Sequence, residues 1–176
     1  MEELKKYIRN IHDFPKKGII FRDITTLFAD PSGLREVVDN IYDICKEKKI
    51  DKIAVMEARG FLIGAPLAYK LSKGVVLIRK KGKLPFNTIS RSYELEYGSA
   101  EMEIHIDAVS KDDNVLLIDD LIATGGTAEA GVKLIRELGA DVTSSCFIIN
   151  LPDLGGIDRL AKLGVETNYL CSFSGS

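Results

Sequence analysis

The residues best placed to do chemistry are two adjacent carboxylates, Asp119 and Asp120, and the small-residue run Ala123-Thr124-Gly125-Gly126-Thr127 just after them. Nothing bulky stands in that run, so a phosphate can reach its backbone amides, and Thr124 and Thr127 add hydroxyl donors. From Thr127 the pattern turns helical, with Leu134 and Leu138 on one face and Gly139 as the stop. The first N–H groups of a helix lack partners and its dipole favours negative charge, so such a turn is built to hold an anion. Carboxylates beside a phosphate cradle would repel the phosphate. They make sense if they accept hydrogen bonds from vicinal hydroxyls of an attached sugar, or act through a divalent cation. The combination implies a sugar phosphate. It is neither a Walker loop, since no Gly-Lys-Ser/Thr closes the turn, nor Gly-x-Gly-x-x-Gly. The plain alternative is an ordinary strand–turn–helix with a Gly-rich turn, and the Asp-Asp pair argues against it.

Two more groups fit an anionic ligand. Glu57-Ala58-Arg59-Gly60 lies between an apolar strand (Ile53 to Met56) and a helix (Phe61 to Leu71). Arginine grips phosphate oxygens in a fork, so this is a second anion turn unless Arg59 is merely a surface ion pair. Arg79, Lys80, Lys81 and Lys83 follow the strand Val75 to Ile78. A charge run is usually a solvated face, but this one falls where α/β ligand sites cluster.

The elements that must position these residues follow from periodicity. Leu4, Tyr7, Ile8 and Ile11 have the spacing of an N-terminal amphipathic helix, broken by Pro15 and Gly18. Ile19 to Ile24 is a short strand or extended loop. Asp30 caps and Pro31 opens a long helix whose stripe is Leu34, Val37, Val38, Ile41 and Ile44. Lys81 to Ser90 has no apolar periodicity and reads as a mobile loop. Two alternating runs, Ser92 to Gly98 and Met102, Ile104, Ile106, predict an antiparallel ribbon that places Glu94 and Glu96 on one face. His12 and His105 carry no chemical signal. After the central motif come a strand (Val142 to Ile149), a short helix (Ile157 to Leu163) and a last strand (Val165 to Cys171). Strand–helix alternation predicts an α/β fold with a doubly wound, mainly parallel sheet, built as one domain over 1–176.

Composition sets outer bounds. A net charge of −2 argues against bulk nucleic-acid binding. Three cysteines without metal-ligand spacing fit reduced, buried thiols and a cytoplasmic location. No leader and no apolar run of about 18 residues are visible, so neither secretion nor membrane association is expected.

The central stretch, from Val115 to Thr127, resembles the phosphoribosyl-pyrophosphate (PRPP) motif of the type I phosphoribosyltransferases. The resemblance also covers Arg-Gly-Phe-Leu-x-Gly from Arg59, and Asp-Phe-Pro-x-x-Gly-Ile-x-Phe-Arg-Asp-Ile-Thr from Asp13 and Arg-Lys-Lys-Gly-Lys-Leu-Pro from Arg79 narrow it to the adenine branch. The matching motifs run from Phe14 to about Leu138.

The resemblance implies transfer of phosphoribose from PRPP to adenine, giving AMP and pyrophosphate. It implies a hood (1–30) in which Ile20 and Arg22 meet the base through backbone groups and Phe21 through its ring. Asp119 and Asp120 would hold the ribose hydroxyls, and Ala123, Thr124, Gly125, Gly126 and Thr127 the 5′-phosphate. Arg59, Arg79, Lys80 and Lys83 would face pyrophosphate, with a non-proline cis peptide near Ala58–Arg59. Within a flexible loop and ribbon (80–106), Glu96 would take the ring proton and Tyr97 touch substrate. Chemistry alone does not choose Glu96 over Glu94. Mg²⁺ would be carried by PRPP and water with no direct protein ligand, and the chain would act as a homodimer. A phosphoribosyltransferase for another purine, or a PRPP-sensing regulator without catalysis, are the alternatives.

Overall fold

The computed structural model describes residues 2–94 and 99–175. Their main sheet has seven strands in the order β5-β6-β4-β3-β7-β8-β9. In sequence these are β3 (Lys52–Met56), β4 (Gly74–Lys80), β5 (Thr88–Glu94), β6 (Ser99–His105), β7 (Asn114–Ile122), β8 (Asp141–Asn150) and β9 (Glu166–Ser172). Strands β4, β3, β7, β8 and β9 run parallel, while β6 and β5 form an antiparallel hairpin on the β4 edge. A separate two-stranded ribbon, β1 (Arg9–His12) with β2 (Ile20–Asp23), is the hood.

Helices cover both faces, and this is why the parallel strands are continuous apolar runs rather than alternating ones. Ile53 and Val55 of β3 and Leu116 and Ile118 of β7 enter one core cluster with α2 (Pro31–Cys45) and α3 (Gly60–Leu71). Their neighbours Ala54, Met56, Val115 and Leu117 enter a second cluster with α4 (Gly126–Glu137) and α5 (Gly156–Ala161). Cys45, Cys146 and Cys171 are buried.

Helix α2 begins as its sequence predicts: the Asp30 carboxylate accepts the N–H groups of Ser32 and Gly33, with Pro31 in the first turn. A short helix, α1 (Thr25–Ala29), leads into it. The N-terminus differs from expectation. Helical structure there is a 3-10 turn over Glu2–Tyr7, and Ile11 lies in β1, opposite Phe21. Pairing with β2 outweighs the helical spacing, and Asp23 ties the pair together. Hydrogen bonds from the Thr25 hydroxyl and Arg9 pull the Asp23 carboxyl down to about 2.

The expected loop from Lys81 to Ser90 is shorter than predicted, because Thr88 to Ser90 already belong to β5. Its turn is also tied down. Glu103 on β6, only 4% exposed, accepts the backbone N–H groups of Lys83 (2.9 Å) and Leu84 (2.8 Å) through one oxygen. Burial would raise its pKa, but these N–H donors outweigh that and keep it below the usual carboxylate range.

Candidate active site

The chain moves from β3 to β4 on one side of the sheet and from β7 to β8 on the other. The crevice beyond the carboxyl ends of β3 and β7 is therefore the switch point where ligands bind in this architecture. Both anion turns predicted from sequence open there. Three cavities adjoin one another in it. The first, of about 380 Å³, is mostly apolar and lined by Ile19, Ile20, Phe21 and Arg22 of the hood, by Leu151 and Leu154, and by Arg59 and Leu121. The second, of about 360 Å³, shares Arg59 and Leu121 with the first and adds Glu57, Lys80, Asp119, Asp120 and Thr127. The third, of about 160 Å³, shares Asp119 and Thr127 with the second and is walled by Ala123, Thr124, Gly125 and Gly126. An apolar chamber, a charged cleft and an anion cradle thus follow one another along β7.

The apolar run Val115 to Ile118 reads in sequence as a buried strand that ends at the two carboxylates, but they do not mark the end of β7. The strand continues to Ile122, because Leu121 and Ile122 keep pairing with Ile149 and Asn150 of β8. Alternation then sends the two acids in different directions. Asp120 is 6% exposed and accepts from Arg59 Nε at 2.6 Å, so an ion pair joins the β3 and β7 turns. Asp119 accepts the Asp120 backbone N–H at 2.9 Å. Burial, then repulsion from Asp120, pushes the Asp119 carboxyl well above its ordinary range, with the Arg59 charge only partly offsetting this.

The cradle depends on backbone approach. Helix α4 has no side-chain cap, and Gly125 at its N-cap has φ of 78°. Its first-turn amides are free to face an anion. Behind it the start of α5 packs so closely that a Cβ on Gly156 would lie 2.3 Å from the Ala123 carbonyl oxygen. Gly156→Ala is therefore expected to displace the cradle and destabilise the fold by about 1–3 kcal/mol, the usual range for overpacking. Thermal unfolding checks this; an unchanged midpoint would show that the contact yields freely. On the other side, a Cβ on Gly60 would meet Asp119 Oδ1 at 3.1 Å, so a larger residue at the start of α3 would press on β7 and the Asp119 carboxylate.

The remaining predicted residues are placed as follows. The Glu57–Ala58 peptide is cis, one residue before the expected position. Lys80 lines the charged cleft. Arg79 does not line it: its guanidinium pairs with Glu57 (Nε to Oε2, 3.3 Å) and donates to the Lys83 carbonyl (3.1 Å). Lys83 is exposed and outside the lining, its backbone being held by Glu103 and Arg79. Glu96 and Tyr97 lie outside the described residues, but Tyr93 of β5 lines the cleft.

Several contributors carried no sequence signal. Glu57 accepts the Lys80 N–H at 2.9 Å. Burial would raise its pKa, but that N–H and Arg79 outweigh the effect and hold it below the usual carboxylate range. Leu151 and Leu154 wall the apolar chamber from the connector between β8 and α5. Among the described residues no cluster of three His, Cys, Asp or Glu side chains could cage a metal, and no helix is long and apolar enough to cross a membrane.

Comparison with known proteins agrees with this geometry. The profile of the Phosphoribosyl transferase domain matches residues 23–168. The adenine phosphoribosyltransferase of Roseobacter denitrificans is 56% identical over 99% of both chains. The crystal structure of the adenine phosphoribosyltransferase from Thermoanaerobacter pseudethanolicus superimposes with a TM-score of 0.93 at 47% identity, covering 98% of this chain and 99% of that one. That from Saccharomyces cerevisiae, complexed with an imino-altritol bisphosphate and adenine, gives 0.89 at 37% identity over 97% of each chain. This chain belongs to the phosphoribosyl transferase family and, within it, to the adenine phosphoribosyltransferases.

Proposed function

We propose that this enzyme transfers the 5-phosphoribosyl group of PRPP to adenine, releasing AMP and pyrophosphate in purine salvage. The observation that carries the reading is the row of three cavities with shared walls. Their order of apolar, charged and anion-binding matches base, ribose with pyrophosphate, and 5′-phosphate. In this reading the cradle from Ala123 to Thr127 holds the 5′-phosphate, and Asp119 and Asp120 hold the ribose hydroxyls. With both ends fixed, the anomeric carbon is positioned rather than free. The bond from that carbon to pyrophosphate breaks as the bond to the purine ring nitrogen forms, and positive charge grows on the ribose. Arg59 and Lys80 stabilise the departing pyrophosphate. Arg79 acts from behind by fixing the Glu57 turn, and Lys83 reaches in only if its turn moves. The hood holds adenine through the backbone of Ile20 and Arg22 and the ring of Phe21, and Glu96 takes the ring proton. Tyr97 completes the substrate contacts as the ribbon covers the cleft and excludes water.

Mg²⁺ belongs to this proposal as a companion of PRPP. Two neighbouring carboxylates, one penalised for its charge and one already paired with Arg59, fit a cation that keeps its waters and substrate phosphates as ligands. When bound it supplies charge neutralisation at pyrophosphate. The assay is direct: the purified chain with PRPP, Mg²⁺ and adenine is expected to form AMP, and hypoxanthine in excess to compete poorly. No AMP would overturn the reading; equal use of hypoxanthine would overturn the choice of base.

We place the enzyme in the cytoplasm and infer that it works as a homodimer. Leu62 (53% exposed) and Tyr69 (89%) of α3 and Val75 (41%) and Leu77 (40%) of β4, the strand in contact with α3, are large exposed apolar residues of the kind a second copy would cover. Light scattering is expected to give twice the chain mass, and Leu77→Glu to shift it toward the monomer. A monomeric wild type would refute the pairing.

A further inference from the structure

The hood and the connector after β8 form opposite walls of the apolar chamber, and each is tied to the stretch Phe173–Gly175. On the hood side, the Arg22 guanidinium lies over the Phe173 ring at 4.5 Å from its centroid. It also donates from Nη2 to the Gly175 carbonyl at 3.5 Å and from Nη1 to the Asn10 side chain at 2.7 Å. Its Nε is buried with no hydrogen-bond partner, so the ring face is a substantial part of what holds it. Lys5 Nζ lies 5.0 Å from the same centroid. On the connector side, the Gly175 N–H donates to Asp153 Oδ2 at 2.8 Å, and the Phe173 N–H to the Asn150 carbonyl at 3.1 Å. Asp153 sits in the 3-10 turn Pro152–Leu154, between the wall residues Leu151 and Leu154.

The hood is a two-stranded ribbon outside the main sheet, anchored to the core at its ends by Ile8 and Ile24, and such a ribbon is marginal by itself. A wall of that kind needs outside support to stay in register with the rest of the chamber. Arg22 spends its guanidinium on the strap, so what it can offer the chamber is its backbone. The register of that backbone is set by the strap.

We propose that Phe173, acting through Arg22, is a positioning residue for the base chamber, and that Phe173–Gly175 bridges the hood to the connector so that the two walls stay a base's thickness apart. This rests on the assignment of that chamber to adenine. Phe173 never reaches the reacting atoms; it fixes the width of the chamber.

Phe173→Leu is the informative change. Phe173 also packs against the core, and leucine keeps that apolar contact while removing the ring face that carries the cation. The variant is expected to raise the KM for adenine by about 3- to 10-fold, the scale of one partly buried cation–π contact. The KM for PRPP should stay within about twofold, and Phe173→Tyr should restore the adenine value. Asp153→Ala, which removes the acceptor of the Gly175 N–H and leaves the backbone of the strap free to keep its path, should raise the adenine KM in the same direction. A purely structural role would lower the melting temperature and leave the two constants in their wild-type ratio, and that result would overturn the proposal. So would equal increases in both constants for Phe173→Leu. If the wild type made no AMP, the assignment of the chamber would fail instead, so the two failures are distinguishable.

Discussion

Glu96→Gln is expected to lower turnover by about 10²–10⁴-fold while barely changing the KM for PRPP, because general base help is worth about that much. The neutral adenine ring carries a proton on the nitrogen that attacks, and it must leave as the new bond forms. Glutamine keeps the size and reach of glutamate but cannot accept that proton. The hairpin supports this assignment. Strand β5 runs along the cleft, and Tyr93 near its end lines the space between Asp119 and Lys80. Glu94 closes β5 and is the competing carboxylate. Glu94→Gln measured in parallel decides between them. A large loss at 94 with none at 96 would move the role to Glu94, and no loss at either would remove proton transfer by this strand from the mechanism.

The second large effect concerns the acid pair, whose members differ in kind. Asp120→Asn and Asp119→Asn should each lower kcat/KM for PRPP by roughly 10- to 100-fold, the loss of one charged hydrogen bond of about 1.5–3 kcal/mol. Stability should separate them. Burial and the neighbouring Asp120 push the Asp119 pKa upward. A carboxyl with a raised folded pKa contributes its full stability below its unfolded value of about 3.9 and loses it as pH rises through the folded value. Asp119→Asn removes a group whose charge is penalised, so the variant should melt above wild type at pH 8, with the gap closing toward pH 4. Asp120→Asn removes the partner of Arg59 and should gain nothing. If Asp119→Asn melted below wild type at pH 8, burial would not be opposing its charge. Wild-type kinetics in both variants would refute the ribose assignment.

Much of this site is legible in the sequence because it is built from contiguous strand–turn–helix units. The small-residue run after β7, the Arg59 turn after β3 and the Asp30 cap each declare themselves within a few residues. What stays hidden depends on pairing between distant segments. Alternation with Met102 and Ile104 made Glu103 look like a solvent-facing residue, yet β4 and the turn over 83–84 enclose it. Ile11 has helical spacing and lies in a strand because β2 is there to pair with. Arg79 belongs to a cationic run that reads as ligand-binding, but its fork is taken by Glu57, which nothing local predicts. Leu151 and Leu154 form a wall only once the hood lies opposite them. The apolar run ending at Ile118 suggested a strand that stops, whereas β8 holds the backbone extended through Ile122.

Among the described residues the antiparallel hairpin pairs in register with the parallel sheet at two positions, Arg79 with Glu103 and Lys80 with Met102. Some of its other ties travel with the segment, the Lys81–Glu101 pair and the Glu103 grip on Lys83 and Leu84, while Arg91 pairs with Glu137 of α4 at 2.7 Å and Ile89 and Tyr93 pack on the core. In engineering terms it is a graftable module. A replacement would reproduce those two positions, the buried Met102 and Ile104, the packing of Ile89 and Tyr93 and the Arg91 pairing with α4 to leave the five parallel strands in register. Hairpin length and reach over the cleft can then be varied without recutting the core that holds the carboxylates.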